Sequence, residues 1–263
     1  MSAASAIEWT DATWNPVTGC TQVSSGCDHC YALAFAERFR GVPDHPYEQG
    51  FDLRLWPERL ELPLRWKKSR RIFVNSMSDL FHADIPDDFI RSVFETMMRA
   101  DWHVYQVLTK RPQRLARMAE SLPWPNHIWA GVSIESNEQA WRADFLRRVP
   151  AAVRFISAEP LIGPIDQLRL EGIHWLITGG ESGPRHRACH PDWVRSARDH
   201  CVSKDVAYFH KQWGGRTSKV GGRDLDGRTW DEMPMIDHSS TSALIGPEYG
   251  RQTQLEEIGI VVS

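Results

Sequence analysis

Ile128-Trp129-Ala130-Gly131-Val132-Ser133-Ile134-Glu135 decides how this chain is read. Six residues of mostly apolar character, too short for a helix, end abruptly in a hydroxyl and then a carboxylate. That is a buried strand whose C-terminal end is polar. The pattern recurs on both sides. Upstream, Ile72-Phe73-Val74-Asn75-Ser76 runs into Met77-Ser78-Asp79, and His103-Val104-Tyr105-Gln106-Val107-Leu108-Thr109 runs into Lys110-Arg111. Downstream, Val153-Arg154-Phe155-Ile156-Ser157 runs into Ala158-Glu159. His174-Trp175-Leu176-Ile177-Thr178 runs into Gly179-Gly180-Glu181-Ser182-Gly183, and Val206-Ala207-Tyr208-Phe209-His210 is the last strand.

Helical segments separate these strands. Pro86-Asp87-Asp88 opens a helix in the favoured way, with Phe89, Ile90, Val93, Phe94, Met97 and Met98 as its core stripe. A basic helix starts at Pro112, another runs from Asn137 to Arg148, and a third from Pro191 to Lys204. Short apolar strands alternating with helices predict an α/β fold with a parallel sheet. About six or seven such units fit a full or partial (β/α) barrel, whose polar strand ends gather on the C-terminal face. Caps account for Ser78, Ser136 and Asn137. They do not account for Glu135, Glu159 and Glu181 recurring just past strand ends, which a shared site does.

Before the first of these units lies Gly19-Cys20-Thr21-Gln22-Val23-Ser24-Ser25-Gly26-Cys27-Asp28-His29-Cys30-Tyr31. It holds three of the chain's five cysteines, spaced Cys-x6-Cys-x2-Cys. Thiolates are soft ligands for zinc and iron–sulfur clusters, and one short loop wraps one metal centre. A helix beginning at or just after Cys30 would turn its N–H groups toward the thiolates. Structural zinc requires a fourth ligand, from His29 or a distant histidine. A 4Fe–4S cluster on three thiolates leaves one iron open, and a disulfide with one free thiol is the third reading. With no secretory h-region and no apolar run long enough for a membrane span, the chain is expected to be cytoplasmic, with reduced thiols and no membrane partner.

The 263 residues are 41% hydrophobic, enough for one large core. A net charge of −3 excludes a global electrostatic footprint for nucleic acid, so any polyanion site is a local patch. Twelve tryptophans serve a heavily aromatic core or stacking surfaces.

A three-cysteine loop after the first strand, followed by a run of βα units, resembles the radical S-adenosylmethionine (SAM) superfamily over roughly residues 7 to 213. The Gly19–Ala32 run, Phe73–Phe81, Gly179–Gly183 and Lys211-Gln212-Trp213-Gly214 are similar to a phage-associated, largely uncharacterised branch. That branch resembles spore photoproduct lyase, a DNA repair enzyme. The resemblance implies a 4Fe–4S cluster on Cys20, Cys27 and Cys30 at the C-terminal face. SAM would chelate the open iron and be cleaved reductively to methionine and a 5′-deoxyadenosyl radical. It also implies an electron donor, a reductase or a flavodoxin or ferredoxin. Two features depart from the superfamily pattern. The first cysteine gap is longer than usual, and Gly179-Gly180-Glu181 falls at about the sixth strand instead of the second.

Carried over, His29 takes the position where the superfamily has an aromatic residue near the adenine. Ser76, Ser78 and Asp79 fill the slot facing the SAM amino group. Ser133 and Glu135 are candidates for the ribose hydroxyls, since a carboxylate accepts two hydrogen bonds from a diol. Glu181 is left as a pocket or substrate residue. Cys189, in Arg187-Ala188-Cys189-His190, is a candidate to return a hydrogen atom to a substrate radical, whereas Cys201 falls at core spacing in a helix.

Two basic clusters stand out, Arg65 to Arg71 and Lys110-Arg111-Pro112-Gln113-Arg114. Lys110, Arg111, Arg114 and Arg185 are the candidate phosphate contacts of a nucleotide or a nucleic-acid lesion, against the plainer reading as solvated helix faces. Three alternatives stand beside this. They are a zinc-stabilised nucleic-acid-binding protein, a radical SAM enzyme for a small molecule or peptide, and a barrel hydrolase using Glu135, Glu159 and Glu181. Residues 1–213 are expected to form the barrel domain. Residues 214–263 are expected to be an extension, with a hairpin at Asp226-Gly227 and a loose tail from Asp237.

Overall fold

The computed structural model describes Ser5 and residues 7–234, so the predicted tail from Asp237 lies outside the described residues. Among the described residues there are nine strands. They are β1 (Ala12–Trp14), β2 (Val17–Thr18), β3 (Arg54–Leu55), β4 (Arg71–Val74), β5 (Val104–Thr109), β6 (Ile128–Ser133), β7 (Arg154–Ala158), β8 (Trp175–Gly179) and β9 (Ala207–Gln212). The α-helices are α1 (Tyr31–Ala36), α2 (Asp87–Arg99), α3 (Pro112–Ala119), α4 (Arg142–Leu146) and α5 (Pro191–Ser203). Strands β2 and β3 make a small antiparallel ribbon. The other seven form one parallel sheet in the order β1-β4-β5-β6-β7-β8-β9.

That order follows the sequence without reversal. A doubly wound sheet changes direction midway and places helices on both faces. Here every crossover steps the same way, so the sheet curls into an open half-barrel instead of flattening. The choice left between a full and a partial barrel is thus made for the partial one.

Strand periodicity divides the buried residues into two cores. Ile72, Val74, Tyr105, Val107, Ile128, Ala130, Val132, Ile156, Leu176 and Tyr208 pack under the helices. The alternate positions, Phe73, Trp129, Phe155, Trp175, Ile177 and Phe209, form a second cluster with Trp9. This is the aromatic floor of the concave face. Trp9 stands 4.8 Å from Phe73 and 6.1 Å from Trp175 between ring centroids. Much of the tryptophan count therefore goes into packing.

Helix α2 buries Ile90, Val93, Phe94 and Met97, while Met98 of the predicted stripe is exposed. The helix expected over 137–148 is broken into a 3-10 turn, Asn137–Gln139, and α4. The Asn137 side chain ties down that start through Asp166 and the Gln167 N–H. Among the described residues, no helix is long and apolar enough to cross a membrane.

The segment after β9 is not a separate unit. Asp226 and Gly227, at φ of 57° and 84°, make the predicted turn, closed by a Leu225–Arg228 bridge. The chain then returns along the free edge of β9. His210 N–H donates to Trp230 O at 2.9 Å, Glu232 N–H to Tyr208 O at 3.1 Å, and Phe209 bridges Asp231. The described part of the expected extension thus packs against the barrel sheet.

Candidate functional site

Each strand's concave-facing row begins apolar, passes through a small residue, and ends polar. On β6 it reads Trp129, Gly131, Ser133, Glu135; on β7, Phe155, Ser157, Glu159; on β8, Trp175, Ile177, Gly179, Glu181. Above the aromatic floor lies a cavity of about 530 Å³. Its walls include Cys20, Cys27, Cys30, Asn75, Glu159 and Lys211. The cysteine loop covers the C-terminal mouth.

What holds the loop there is a set of strand-end carboxylates, each charge-paired. After β4, Asp79 Oδ1 accepts from Thr109 Oγ1 at 2.6 Å and Phe81 N–H at 3.0 Å. Its Oδ2 accepts from Lys110 N–H at 3.0 Å and Arg111 Nη1 at 2.9 Å. Arg111 in turn donates to Cys20 Sγ at 3.3 Å and Thr21 O at 2.9 Å. After β6, Glu135 is fully buried between Lys110 Nζ at 2.8 Å and Arg142 Nη1 at 3.0 Å, and accepts from Ser24 Oγ at 3.0 Å. Gly26 lies so close that a Cβ there would stand 2.4 Å from Glu135 Cγ. After β8, Glu181 accepts from His29 Nδ1 at 3.0 Å and from Arg187 Nη2 at 2.6 Å, while Arg187 also donates to Ser25 O at 2.9 Å.

Alternate strand ends thus clamp successive parts of one loop. A carboxylate offers about four acceptor sites, and those of Asp79 are all used within the protein. The SAM amino group assigned to Asp79 would find no free lone pair. Asp79 does line the cavity, whereas Glu135, assigned to the ribose hydroxyls, does not.

Charge follows the same pattern. Burial would raise the Glu135 carboxyl, but the Lys110 and Arg142 cations outweigh it and hold it below its ordinary value. Burial likewise opposes ionisation of Glu181, and the Arg187 and His29 hydrogen bonds bring it down to about 2. Burial pushes the Cys20 thiol up to about 11, with Asp79 adding to the rise and Arg111 opposing it. Burial also raises Cys30, against the N–H groups of Leu33 and Ala32. Among the described residues, no three His, Cys, Asp or Glu side chains gather as ligands for one metal ion.

The remaining predicted residues fall into three groups. Ser76, Ser78, Ser133 and His29 line the cavity. Ser76 is held by Asn15 at 3.2 Å and its carbonyl accepts from Tyr31 at 2.5 Å, while Ser78 Oγ donates to Val17 O at 2.9 Å. Cys189 does not line the cavity: it packs against the helix-side core, where burial pushes its thiol up to about 11. Of the four cations assigned to phosphate, Lys110 and Arg111 belong to the clamps, and Arg114 binds the His82 and Ile85 carbonyls and Asp87. Arg185 is exposed.

Two features were missed. Asn75, at φ 61°, is buried at the end of β4 with both amide atoms unpartnered, and it lines the cavity. Glu159 and Lys211 form an ion pair across β8, over Gly179. A Cβ at Gly179 would press on the Glu159 side chain at 3.2 Å. The glycine in the Gly-Gly-Glu run signalled the close approach, but not what approaches.

The Glu181 clamp makes acid stability testable. Its folded value, about 2, lies below the roughly 4.3 of an unfolded glutamate. The stabilisation is therefore complete above about pH 4.3 and is lost as pH falls toward 2. Glu181→Gln should flatten the urea-midpoint profile in that window, and a variant with the parent's acid slope would refute the assignment.

An α/β half-barrel with a three-thiol loop clamped over its C-terminal mouth defines the class of this molecule. The chain belongs to the family described as "Protein of unknown function (DUF5131)", which matches residues 4–234. No curated protein and no solved structure matches it.

Proposed function

We propose that this protein is a radical SAM enzyme acting on a nucleotide or nucleic acid, with Cys20, Cys27 and Cys30 as ligands of a 4Fe–4S cluster. One observation carries the reading. All three thiols of the loop line one cavity over the C-terminal ends of a parallel half-barrel. The donor set fits the group, because three soft ligands on one short loop suit a cluster with one open iron. A cluster held by Cys20, Cys27 and Cys30, with SAM bound, would supply reductive cleavage of the sulfonium, given an electron from a reductase, flavodoxin or ferredoxin.

The chain's own residues prepare that site. Arg111 sets a guanidinium beside Cys20 Sγ and so offsets thiolate charge. Ser76 and Ser133 offer hydroxyls to the polar groups of SAM, and His29 forms part of the wall beside them. The layer of Trp9, Phe73 and Phe155 closes the interior below and keeps water from the reacting groups. Lys211 and Arg216 supply positive charge to the same cavity. For the hydrolase alternative, Glu135 is locked between cations and Glu181 stays ionised at working pH, which leaves Glu159, paired with Lys211, as its acid in the cavity.

Anaerobic reconstitution with iron and sulfide should give a brown protein carrying about four irons per chain. A colourless protein with one zinc after the same treatment would overturn the reading.

A further inference from the structure

The cations of this mouth differ in one respect. Lys110, Arg111, Arg114, Arg142 and Arg187 are each paired with a carboxylate. Arg216 is exposed, lines the cavity, and makes no ion pair among the described residues. It sits in Gly214-Gly215-Arg216-Thr217-Ser218, directly after β9. Thr217 and Ser218 line the same cavity, and the N–H groups of Arg216, Thr217 and Ser218 donate to no acceptor among the described residues.

The loop is firmly placed. Gly215 N–H donates to Glu181 O at 2.9 Å, Gly183 N–H donates to Gly215 O at 2.8 Å, and Gln212 Nε2 donates to Ser182 Oγ at 2.9 Å. Gly214, at φ 77°, admits no side chain, since a Cβ would stand 2.2 Å from Glu181 O. Beside the loop, Lys211 is held in the cavity by Glu159. Unused backbone N–H groups, two hydroxyls and an unpaired guanidinium, with an ammonium shared with Glu159, give this cavity a set of donors. That chemistry suits a tetrahedral oxyanion.

We propose that the Gly214–Ser218 loop, with Lys211, binds a phosphate group of the substrate, carried by a free nucleotide or by a single strand. This rests on the reading of the cavity as a substrate site. The test uses thymidine 5′-monophosphate, thymidine, and a fluorescent thymidine decanucleotide, with the reconstituted protein at several salt concentrations. The monophosphate or the strand should bind and thymidine should not. Arg216→Glu should weaken binding by about ten- to hundred-fold, the cost of a charge-assisted contact. It should also flatten the strand's salt slope by roughly 0.7 or more. Arg216→Gln should lose less, and Lys67→Glu, an exposed change away from the cavity, should lose nothing.

Binding of the monophosphate alone identifies a free nucleotide as the source, and binding of the strand alone identifies nucleic acid. Equal binding of thymidine and its monophosphate, or Arg216→Glu with the parent's affinity and slope, would overturn the proposal. A brown, four-iron protein that binds neither phosphate ligand would refute the phosphate site alone. A colourless protein that binds them through Arg216 would refute the cluster alone.

Discussion

Replacing any one of Cys20, Cys27 or Cys30 by alanine should reduce dithionite-driven release of 5′-deoxyadenosine from SAM to background. The expected loss is at least about a hundred-fold, because a cluster left with two protein ligands is no longer retained. The thiols line one cavity, so they should behave as one unit, and the double variants should be no worse than the single ones. Cys189→Ala and Cys201→Ala supply the contrast, since both side chains pack against the helix-side core. They should keep their iron and their SAM cleavage. A loop variant with parent-like turnover, or loss of iron in the Cys201 variant alone, would move the cluster elsewhere.

Glu135→Ala should be the most destabilising exchange at the mouth. The carboxylate is fully buried, and Arg142 beside it is nearly so, at 3% exposure. Removing one member of a buried ionic set leaves the others unpaired and typically costs about 3–5 kcal/mol. Arg142 would keep only its neutral partner, the Ser133 carbonyl, and its Nε is already unsatisfied. Urea denaturation should show that loss, and iron retention should fall with it, because Ser24 is released from the loop's anchor. Glu135→Gln keeps the volume and one hydrogen-bonding pattern and should fall between the two. An unchanged midpoint for the alanine variant would show that the clamp contributes nothing to folding.

Strand positions were legible because burial on both faces leaves short apolar runs that stop at a polar residue. Ile128–Ser133 appears in the structure with the same bounds the residues suggest. Whether the sheet closes depends on strand number and stagger, which periodicity does not carry. The strand-end acids were legible as a group, but their division was not. Asp79, Glu135 and Glu181 read like Glu159 along the chain, and only tertiary contact shows that the first three clamp the loop while Glu159 meets Lys211 in the cavity. Arg111 lies 32 residues from its Asp79 partner, so a row of cations that looked like a phosphate rim is largely internal. Arg216, isolated in a glycine-rich loop after Trp213, lay outside both basic clusters and gave no such signal.

The return of the chain along β9 sets where this molecule can end. A protein cut after Trp213 would keep every cysteine and every barrel strand, yet it would present the outer edge of β9 bare. Such an edge offers its N–H and C=O groups to any other chain, the usual start of edge-to-edge aggregation. The Trp230–Glu232 segment covers that edge, so a chain cut after Trp213 is expected to aggregate more readily than one that reaches Glu232.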